Sequence, residues 1–377
     1  IVKKLIWLGP AFTIHESLAS PALAPAASRW QEGLLSALRD AGTDVRIVAN
    51  YSERLWPRGP SYVPESKGEF HGAPRAAIPY LNIPGFREHS LERGYSFAID
   101  QLCAEVGMPD VIVSYNVWRP VARACRYAAG RHRIPWIPVV LDHAPPTTGW
   151  ANMMAGVEGA AGVVFLSHWA FLHAPVKNKL HLDAGVPCVP DRLPADSRSR
   201  IILYCGALHR WGGIENLLDS MSFVMTPRAR LIVVGRGGSA ALMRRLAATP
   251  SVEYLGAVDE PTLTKLTEQA EVLANPRPSH VGGNEMNFPS KLLHYLASLK
   301  PVVTTLTPGV APEYRNVVIP ANDDSPAAFA AALDRALCLS KSDRLGLSER
   351  IRHFLGSGRL WSQQAARFLD WAGHTLS

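Results

Sequence analysis

The chain has 377 residues, 47% of them hydrophobic, and a formal net charge of +7 at pH 7. A length above about 300 residues predicts two domains, because a single hydrophobic core rarely grows beyond that size. No apolar run approaches the ~18 residues of a membrane-spanning helix, so none is expected. The first twelve residues are too short and too strand-like to predict a signal peptide.

The five cysteines are scattered, and no two of them form a CxxC pair. This pattern argues against a disulfide framework and a zinc site, and it favours the reducing cytoplasm. The positive net charge favours partners that carry phosphate or other anionic groups.

In chain order, the first half alternates short apolar strands with helices. Strands are predicted at residues 4–8, 45–49, 111–114, 136–141 and 162–166, and helices at 29–41, 91–106 and 120–131. A Pro- and Gly-rich polar stretch at 52–85 predicts long surface loops. The alternation is typical of parallel strands covered by helices on both faces.

The pattern restarts after a linker-like stretch at 187–199. Strands at 200–205, 231–234, 252–255, 272–274 and 302–305 alternate with helices at 213–221, 240–247 and 260–269, and a last helix follows at 362–375. We predict an α/β fold of two Rossmann-like domains, at 1–184 and 185–360, with the helix of 361–377 packing back on the first. Such sheets bind ligands at the carboxyl ends of their strands, so the site is expected in a central cleft between them.

The segment from Asn284 to Thr304 carries the strongest signal. Polar residues and a Pro-Ser-Lys turn lead into a helix with Leu292, Leu293, Leu296 and Leu299 at its apolar positions, and a β-branched strand follows. A loop that brings polar groups and a helix N-terminus to a parallel sheet is suited to binding anions. The segment therefore predicts a phosphorylated ligand.

Two further strand-to-helix turns in this half are rich in glycine. After the strand at 200–205, Gly206, His209 and Arg210 precede a helix start, an arrangement suited to holding a diphosphate. The turn at 235–238, Gly-Arg-Gly-Gly, allows a ligand to approach the backbone closely. The alternative for both turns is that the glycines serve only the tight backbone geometry and bind no ligand. The second turn lacks the full dinucleotide fingerprint, which argues against a nicotinamide enzyme.

Taken in order, these motifs resemble those of GT-B glycosyltransferases, most closely the retaining, family-4-like group of glycoconjugate and exopolysaccharide synthesis. The resemblance rests on Gly-Ala-Leu-His-Arg-Trp-Gly-Gly-Ile-Glu, Val-Val-Gly-Arg-Gly, Glu-Tyr-Leu-Gly-Ala-Val, Asn-Pro-Arg-Pro and Phe-Pro-Ser-Lys-Leu-Leu-His-Tyr-Leu-Ala-Ser-Leu-Lys-Pro-Val-Val. It covers residues 200–310 strongly and extends weakly into the first half. It implies a two-domain enzyme that uses a nucleotide-sugar donor.

The resemblance also implies which residues contact the donor. The loop at 255–258, ending at Val258, is expected to meet the nucleobase edge. His294 stands where the family commonly has a glutamate that binds the ribose hydroxyls, and an imidazole can also hydrogen-bond a hydroxyl. The remaining donor-binding residues are expected along the diphosphate and the sugar: Gly9, Gly206, His209, Gly235, Arg236, Asn287, Phe288, Pro289, Ser290 and Lys291.

Candidate catalytic and acceptor residues come from both halves. Asp142 and His143 follow the strand at 136–141, where they can touch the donor sugar, orient the acceptor hydroxyl, or simply cap the following loop. Arg210 is expected to stabilise the departing diphosphate. His15 and Glu16 are candidates for binding the acceptor, because their loop is predicted to face the same cleft.

Arg119, Arg123 and Arg126 are spaced i, i+4, i+7 and so share one face of a helix. This face is either a solvated basic surface or a contact for anionic lipid or an acidic acceptor, which leaves peripheral membrane contact open. Nucleic-acid binding is not expected, because aromatic residues do not interleave with the basic clusters.

The sequence thus predicts a cytoplasmic glycosyltransferase acting on a hydroxyl of a glycan, lipid-linked or small-molecule acceptor. If it follows the group it resembles, it retains the anomeric configuration. No Asp-x-Asp triplet occurs, so no obligatory metal or other cofactor is expected. Two alternatives stay open: a sugar-nucleotide epimerase of the same fold, and a non-catalytic GT-B-like binding subunit.

Overall fold

The computed structural model describes residues 2–19, 25–141, 149–195, 198–281 and 283–376. The chain divides into two compact units, Ile1–Pro187 with Trp361–Ser377 and Cys188–Leu360. Each unit is built on a largely parallel sheet that alternates with helices along the chain. This architecture confirms the predicted α/β fold of two Rossmann-like domains.

The first unit contains a main sheet and a small separate one. Its strands are β1 (Lys4–Leu8), β2 (Asp44–Ala49), β3 (Tyr62–Val63), β4 (Ser66–Phe70), β5 (Ala73–Ala77), β6 (Tyr80–Leu81), β7 (Val111–Tyr115), β8 (Trp136–Val140), β9 (Val163–Phe165) and β10 (Lys179–His181). The main sheet has the order β10-β9-β8-β7-β1-β2-β5-β4 and is parallel except at the β4–β5 edge. β3 and β6 pair with each other in antiparallel fashion.

The helices of the first unit cover this main sheet. They are α1 (Ile14–Ala19), α2 (Pro25–Asp40), α3 (Arg87–Val106), α4 (Arg119–His132), α5 (Gly149–Gly156) and α6 (His168–His173). α2 ends shortly before Gly42, as predicted, and the φ of +89° at Gly42 favours glycine. α1 occupies positions where the sequence indicated only a loop.

The stretch at 52–85 departs most from its prediction, because it is not a set of long surface loops. It contains β3 to β6, and β5 joins the main sheet with Arg75 opposite Ile47. Ala73, Arg75 and Ala77 are buried, while the intervening Pro74 is exposed. Since small residues and proline have weak strand propensity, packing against β2 rather than local preference forms this strand.

The second unit has one parallel sheet. Its strands are β11 (Ile201–Cys205), β12 (Arg230–Val234), β13 (Val252–Gly256), β14 (Val272–Asn275), β15 (Val302–Thr304) and β16 (Ile319–Pro320), in the order β13-β12-β11-β14-β15-β16. Its helices are α7 (Ile214–Met221), α8 (Ala240–Ala248), α9 (Glu260–Gln269), α10 (Lys291–Leu296), α11 (Pro326–Leu337) and α12 (Lys341–Gly356). Ile214, Leu231, Val272, Phe329 and Leu333 belong to the core between sheet and helices. α10 ends before Leu299, whose φ is +58°.

The last helix, α13 (Trp361–Leu376), belongs to the first unit, as predicted. The indole of Trp361 lies against Gly33 and Gly185, where a Cβ would come within 2.1 and 2.6 Å of it. Phe368 is fully buried, and the Trp371 ring lies against Gly162. The missing side chains at these glycines are therefore what allow α13 to dock.

Candidate functional site

The loops that follow the strands of the second sheet collect at one edge. β11, β12, β13 and β14 are parallel and end at Cys205, Val234, Gly256 and Asn275. The residues that follow them therefore lie side by side at the carboxyl edge, where open α/β sheets bind ligands. Most of the predicted donor-binding residues are on these loops.

The two glycine turns pack directly against each other. The Gly206 N–H donates to the Val234 carbonyl at 2.8 Å, and the Leu208 N–H donates to the Arg236 carbonyl at 2.9 Å. A Cβ at Gly235 would lie 1.8 Å from the Gly206 carbonyl oxygen. The glycines thus allow the two backbone segments to come into direct contact.

Lys291 places its ammonium directly against the first of these turns. A Cβ at Gly206 would lie 1.6 Å from its Nζ, and Nζ is 5.0 Å from the centroid of the Tyr204 ring. Within the described part of the chain, no carboxylate forms an ion pair with Lys291. Burial, reinforced by the nearby Arg277 guanidinium and opposed by Cys205, lowers the pKa of Lys291 to about 8. Lys291 is therefore a desolvated cation that no carboxylate of the described residues neutralises.

Tyr295 fixes the position of Lys291. Its fully buried hydroxyl accepts from the Cys205 N–H at 2.8 Å and donates to the Cys205 carbonyl at 3.0 Å. Because Tyr295 follows Lys291 by one helical turn, this contact ties the start of α10 to the end of β11. The sequence prediction missed this residue, although its spacing from Lys291 on a helix was a usable signal.

The loop after β14 carries the Asn-Pro-Arg-Pro motif and is held in place by side-chain hydrogen bonds. The Arg277 Nε donates to the Asn284 Oδ1 at 2.7 Å, and the buried Asn284 amide donates to the carbonyls of Trp211 and Pro278 at 2.9 and 2.8 Å. These bonds join the loop to the one after β11. Arg277 is thereby held near Lys291, so a second cation contributes to the charge of this edge.

Three other predicted residues are exposed beside the glycine turns. His209 and Arg210 lie on the loop after β11, and Arg236 lies on the loop after β12. The His209 ring is next to Gly237, where a Cβ would come within 3.0 Å of it. Val258 is half-buried and precedes Asp259, which accepts from the Thr262 N–H and begins α9. The structure thus brings Gly206, His209, Gly235 and Arg236 into one cluster.

The segment before α10 contributes mainly backbone groups and buried side chains to this edge of the sheet. Asn287, Phe288 and Pro289 are buried, whereas Ser290 is exposed. The Phe288 ring packs against Tyr314 with 5.7 Å between centroids, and the Asn287 backbone lies against Gly309. His294 is exposed on α10 one turn after Lys291, on the side facing away from the buried leucines.

In the first unit, Glu16 is held inside an ion-pair network. Its carboxylate accepts from both Arg75 nitrogens at 2.8 and 3.0 Å and from the Thr13 N–H at 2.7 Å. The Arg75 guanidinium also lies 4.6 Å from the Phe12 ring centroid. Burial alone would raise the pKa of Glu16, but the hydrogen bonds from Arg75 and Thr13 outweigh it and lower the pKa. Glu16 therefore holds the loop after β1 in place.

The other predicted residues of this unit lie at the same edge or outside the described residues. Gly9 follows β1, and a Cβ on it would come within 2.5 Å of the Tyr115 Cβ, so the close approach requires glycine. His15 is exposed on α1. Asp142 and His143 fall outside the described residues.

Two features are absent from the described residues: a metal-binding cluster and a membrane-spanning helix. No group of three or more His, Cys, Asp or Glu side chains there is arranged to hold a metal ion. No helix in those ranges has both the length and the apolar character needed to cross a membrane.

Comparison with known proteins identifies the family of the second unit. Residues 199–338 match the family model for glycosyl transferases group 1. This segment contains the glycine turns, Arg277, Lys291 and Tyr295. No curated protein sequence matches the chain.

Solved structures resemble the chain over nearly its full length. Sucrose-phosphate synthase from Thermosynechococcus elongatus is 18% identical with a TM-score of 0.68, and the match covers 99% of this chain and 98% of that one. HepE from Anabaena, solved with UDP and glucose, is 13% identical with a TM-score of 0.66 over 98% and 99% of the two chains. UDP-forming α,α-trehalose-phosphate synthase from Burkholderia xenovorans is 13% identical with a TM-score of 0.69 over 98% and 100%.

These likenesses confirm the predicted resemblance. At such low identities the solved structures establish the fold, while the family model identifies the segment that carries the motifs. Residues 199–338 thus match the glycosyl transferases group 1 model, within a chain that has the GT-B fold.

Proposed function

We propose that the protein transfers a sugar from a nucleotide-sugar donor to a hydroxyl acceptor. The observation that carries this proposal is the position of the Lys291 ammonium. It occupies the space that a side chain at residue 206 would fill, and it has no ion pair among the described residues. A desolvated cation costs folding free energy unless a ligand supplies the opposite charge. The diphosphate of a nucleotide sugar supplies that charge.

The diphosphate binds between the glycine turns and the start of α10. Lys291 donates to its oxygens, and the missing side chain at Gly206 leaves room for this ammonium at the turn. The exposed His209 and Arg236 close over the phosphates from the solvent side. HepE, which shares the fold, was solved with UDP, and this supports a nucleoside diphosphate as the ligand.

The remaining donor contacts follow from the positions of the loops. The backbone of residues 255–258 meets the nucleobase edge, with Val258 at its end. His294, exposed one turn after Lys291, hydrogen-bonds the ribose hydroxyls. The segment from Asn287 to Ser290 runs along the sugar, with its buried part as a wall and the exposed Ser290 hydroxyl as a hydrogen-bonding group.

The reaction is a substitution at the anomeric carbon of the sugar. The acceptor hydroxyl attacks this carbon on the face from which the diphosphate departs, as the bond to the diphosphate oxygen breaks, so the configuration is retained. An oxygen of the leaving phosphate takes the hydroxyl proton. Lys291 and Arg210 stabilise the negative charge that develops on the diphosphate. These cations perform the task that a metal ion performs elsewhere, so no obligatory metal is required.

The first unit binds the acceptor, a glycan, lipid-linked or small-molecule hydroxyl. Asp142 and His143 follow β8 and orient the attacking hydroxyl. His15, exposed on α1, contacts the acceptor. Glu16 acts indirectly, since its carboxylate is engaged with Arg75 and Thr13 and holds the loop that carries His15.

The test is a panel of nucleotide sugars with UDP, GDP, dTDP and ADP as the nucleotide. We expect one class to raise the melting temperature and to be slowly hydrolysed, because water replaces the missing acceptor. A changed sugar nucleotide formed without acceptor would identify an epimerase instead. Stabilisation without turnover, even with an acceptor panel, would identify a binding subunit, and no stabilisation by any donor would overturn the proposal.

A further inference from the structure

One surface of the first unit exposes large apolar side chains that the donor chemistry does not use. Five of them lie on β3, β6 and the segments next to them, and we call them the hairpin patch. Their exposed fractions are 39% for Leu55, 49% for Trp56, 52% for Tyr62, 43% for Leu81 and 63% for Phe86. A cluster of this kind on a protein surface marks an interaction site.

The small sheet points these side chains outward. Tyr62 pairs directly with Leu81 across the two strands, so both side chains lie on one face. Their neighbours Val63 and Tyr80 are buried on the other face. The Leu81 N–H donates to the Ser90 hydroxyl at 2.9 Å, which places the start of α3, and with it Phe86, beside β6. The patch is therefore a consequence of the strand alternation.

The loop that carries Leu55 and Trp56 is held rigidly. The side-chain amide of the fully buried Asn82 donates to the carbonyls of Arg54 and Pro60 at 2.7 and 2.8 Å. The Trp56 N–H donates to the Asn82 carbonyl at 3.1 Å. A Cβ at Gly59 would lie 2.1 Å from the Arg54 carbonyl oxygen, so only glycine closes this loop. The apolar side chains are thus presented in a fixed arrangement.

Two arginines flank the patch without ion pairs. Arg54 and Arg58 are exposed, and in the described ranges neither side chain forms a salt bridge. The arginines of α4 differ, although the sequence singled them out for a membrane contact. Arg119 and Arg123 pair with the α3 carboxylates of Glu88 and Glu92 at 3.7 and 3.1 Å. Within the described ranges, Arg54 and Arg58 thus leave their positive charge unneutralised beside the hairpin patch, whereas Arg119 and Arg123 of α4 are neutralised by α3 carboxylates.

The patch is connected to the loop after β1 through a short series of contacts. The Phe12 ring stacks on Tyr51 with 4.5 Å between centroids, and the Tyr80 hydroxyl donates to the Tyr51 carbonyl at 2.5 Å. Tyr80 is on β6, next to Leu81. The buried face of the small sheet is therefore linked to the loop after β1, which leads into α1 and His15.

We infer that the hairpin patch docks the protein on an anionic lipid bilayer. Trp, Tyr, Leu and Phe side chains insert into the interfacial region of a membrane, and unpaired arginines bind its acidic headgroups. Aliphatic and aromatic groups beside free arginines match this surface better than a glycan, whose hydroxyls need hydrogen-bonding partners. Docking brings lipid-anchored hydroxyl acceptors to the first unit.

The test is co-sedimentation of the full chain with vesicles of phosphatidylcholine alone or with about 30% phosphatidylglycerol. We expect binding to the anionic vesicles that weakens in high salt. Arg54→Gln with Arg58→Gln lowers the partition coefficient about 25-fold, from about fivefold for each arginine. Leu55→Ser with Trp56→Ser lowers it at least tenfold. Phe97→Ser is the matched control, because Phe97 is 64% exposed further along α3, outside the patch.

Each possible outcome either supports or overturns membrane docking through the hairpin patch. Equal loss in Phe97→Ser, binding unchanged in both patch variants, or absence of binding at low salt overturns the inference. The inference is also overturned if the protein is a dimer in vesicle-free solution and the patch variants dissociate it, because the occupant is then a second copy. Binding of a soluble glycan at the patch overturns it in the same way. Nucleotide binding is measured in the same variants and stays unchanged, so a failure here is distinct from a failure of the donor site.

Discussion

The carboxyl edges of the two sheets both carry charged residues, but their charges are satisfied differently. In the second unit, Lys291 lies on Gly206 without an ion pair in the described part of the chain. In the first unit, Glu16 is bound by Arg75 and Thr13 within the protein. A charge at a strand end is thus a strong ligand-binding candidate when the fold leaves it without a partner, and a structural residue when the fold supplies one.

The largest expected effect tests the structural role of the first edge. Arg75→Met leaves the Glu16 carboxylate without its main partner and lowers the free energy of unfolding by about 2–3 kcal/mol. Urea denaturation of the full chain measures this change. Arg46→Met removes a half-exposed pair with Asp44 and costs at most about 0.5 kcal/mol. Weaker nucleotide binding in Arg75→Met would contradict the division of roles between the two edges.

The second prediction tests the contact on which the donor site depends. Gly206→Ala places a methyl group where the Lys291 ammonium lies, so the side chain moves away and affinity for the nucleoside diphosphate falls about 20-fold. Isothermal titration calorimetry measures this loss. Gly358→Ala is the control, because a Cβ there meets no atom within 4 Å. If both variants bind equally well, Lys291 does not contact the diphosphate from this position.

The third prediction uses the pKa of about 8 at Lys291. Below pH 8 the ammonium is charged, and above it the free protein must take up a proton when the anion binds. Affinity for the diphosphate therefore falls about tenfold between pH 7 and pH 9. Lys291→Arg stays charged throughout this range, so its affinity changes little. A profile of the same shape in Lys291→Arg would assign the titration to another group.

The smallest expected effect concerns the ribose contact. His294→Ala removes one hydrogen bond and weakens binding of the diphosphate and of the free nucleoside by the same factor, about fivefold. His353→Ala, an exposed histidine on α12, is the control. If His294→Ala weakened binding of the diphosphate but not of the nucleoside, His294 would contact the phosphates and not the ribose.

The sequence predicted the second unit better than the first, for physical reasons. Gly206 and Gly235 directly follow β11 and β12, and Lys291 begins α10 directly after a Pro-Ser turn, so local pattern determines these positions. β5 was missed because its alanines and proline form a strand only through packing against β2. Tyr295 was missed because its role depends on a contact with Cys205, which is distant in sequence. The pairing of Glu16 with Arg75 was equally invisible without the fold.

The central claim is that Lys291 binds the diphosphate of a nucleotide donor. The most direct measurement is calorimetric titration of the wild-type protein, Lys291→Met and Lys265→Met with the stabilising nucleoside diphosphate and with its nucleoside. Lys265, exposed on α9, is the matched control. We predict that Lys291→Met alone weakens diphosphate binding about 30-fold and changes nucleoside binding less than twofold. Unchanged diphosphate affinity, or equal loss for both ligands, would contradict the claim.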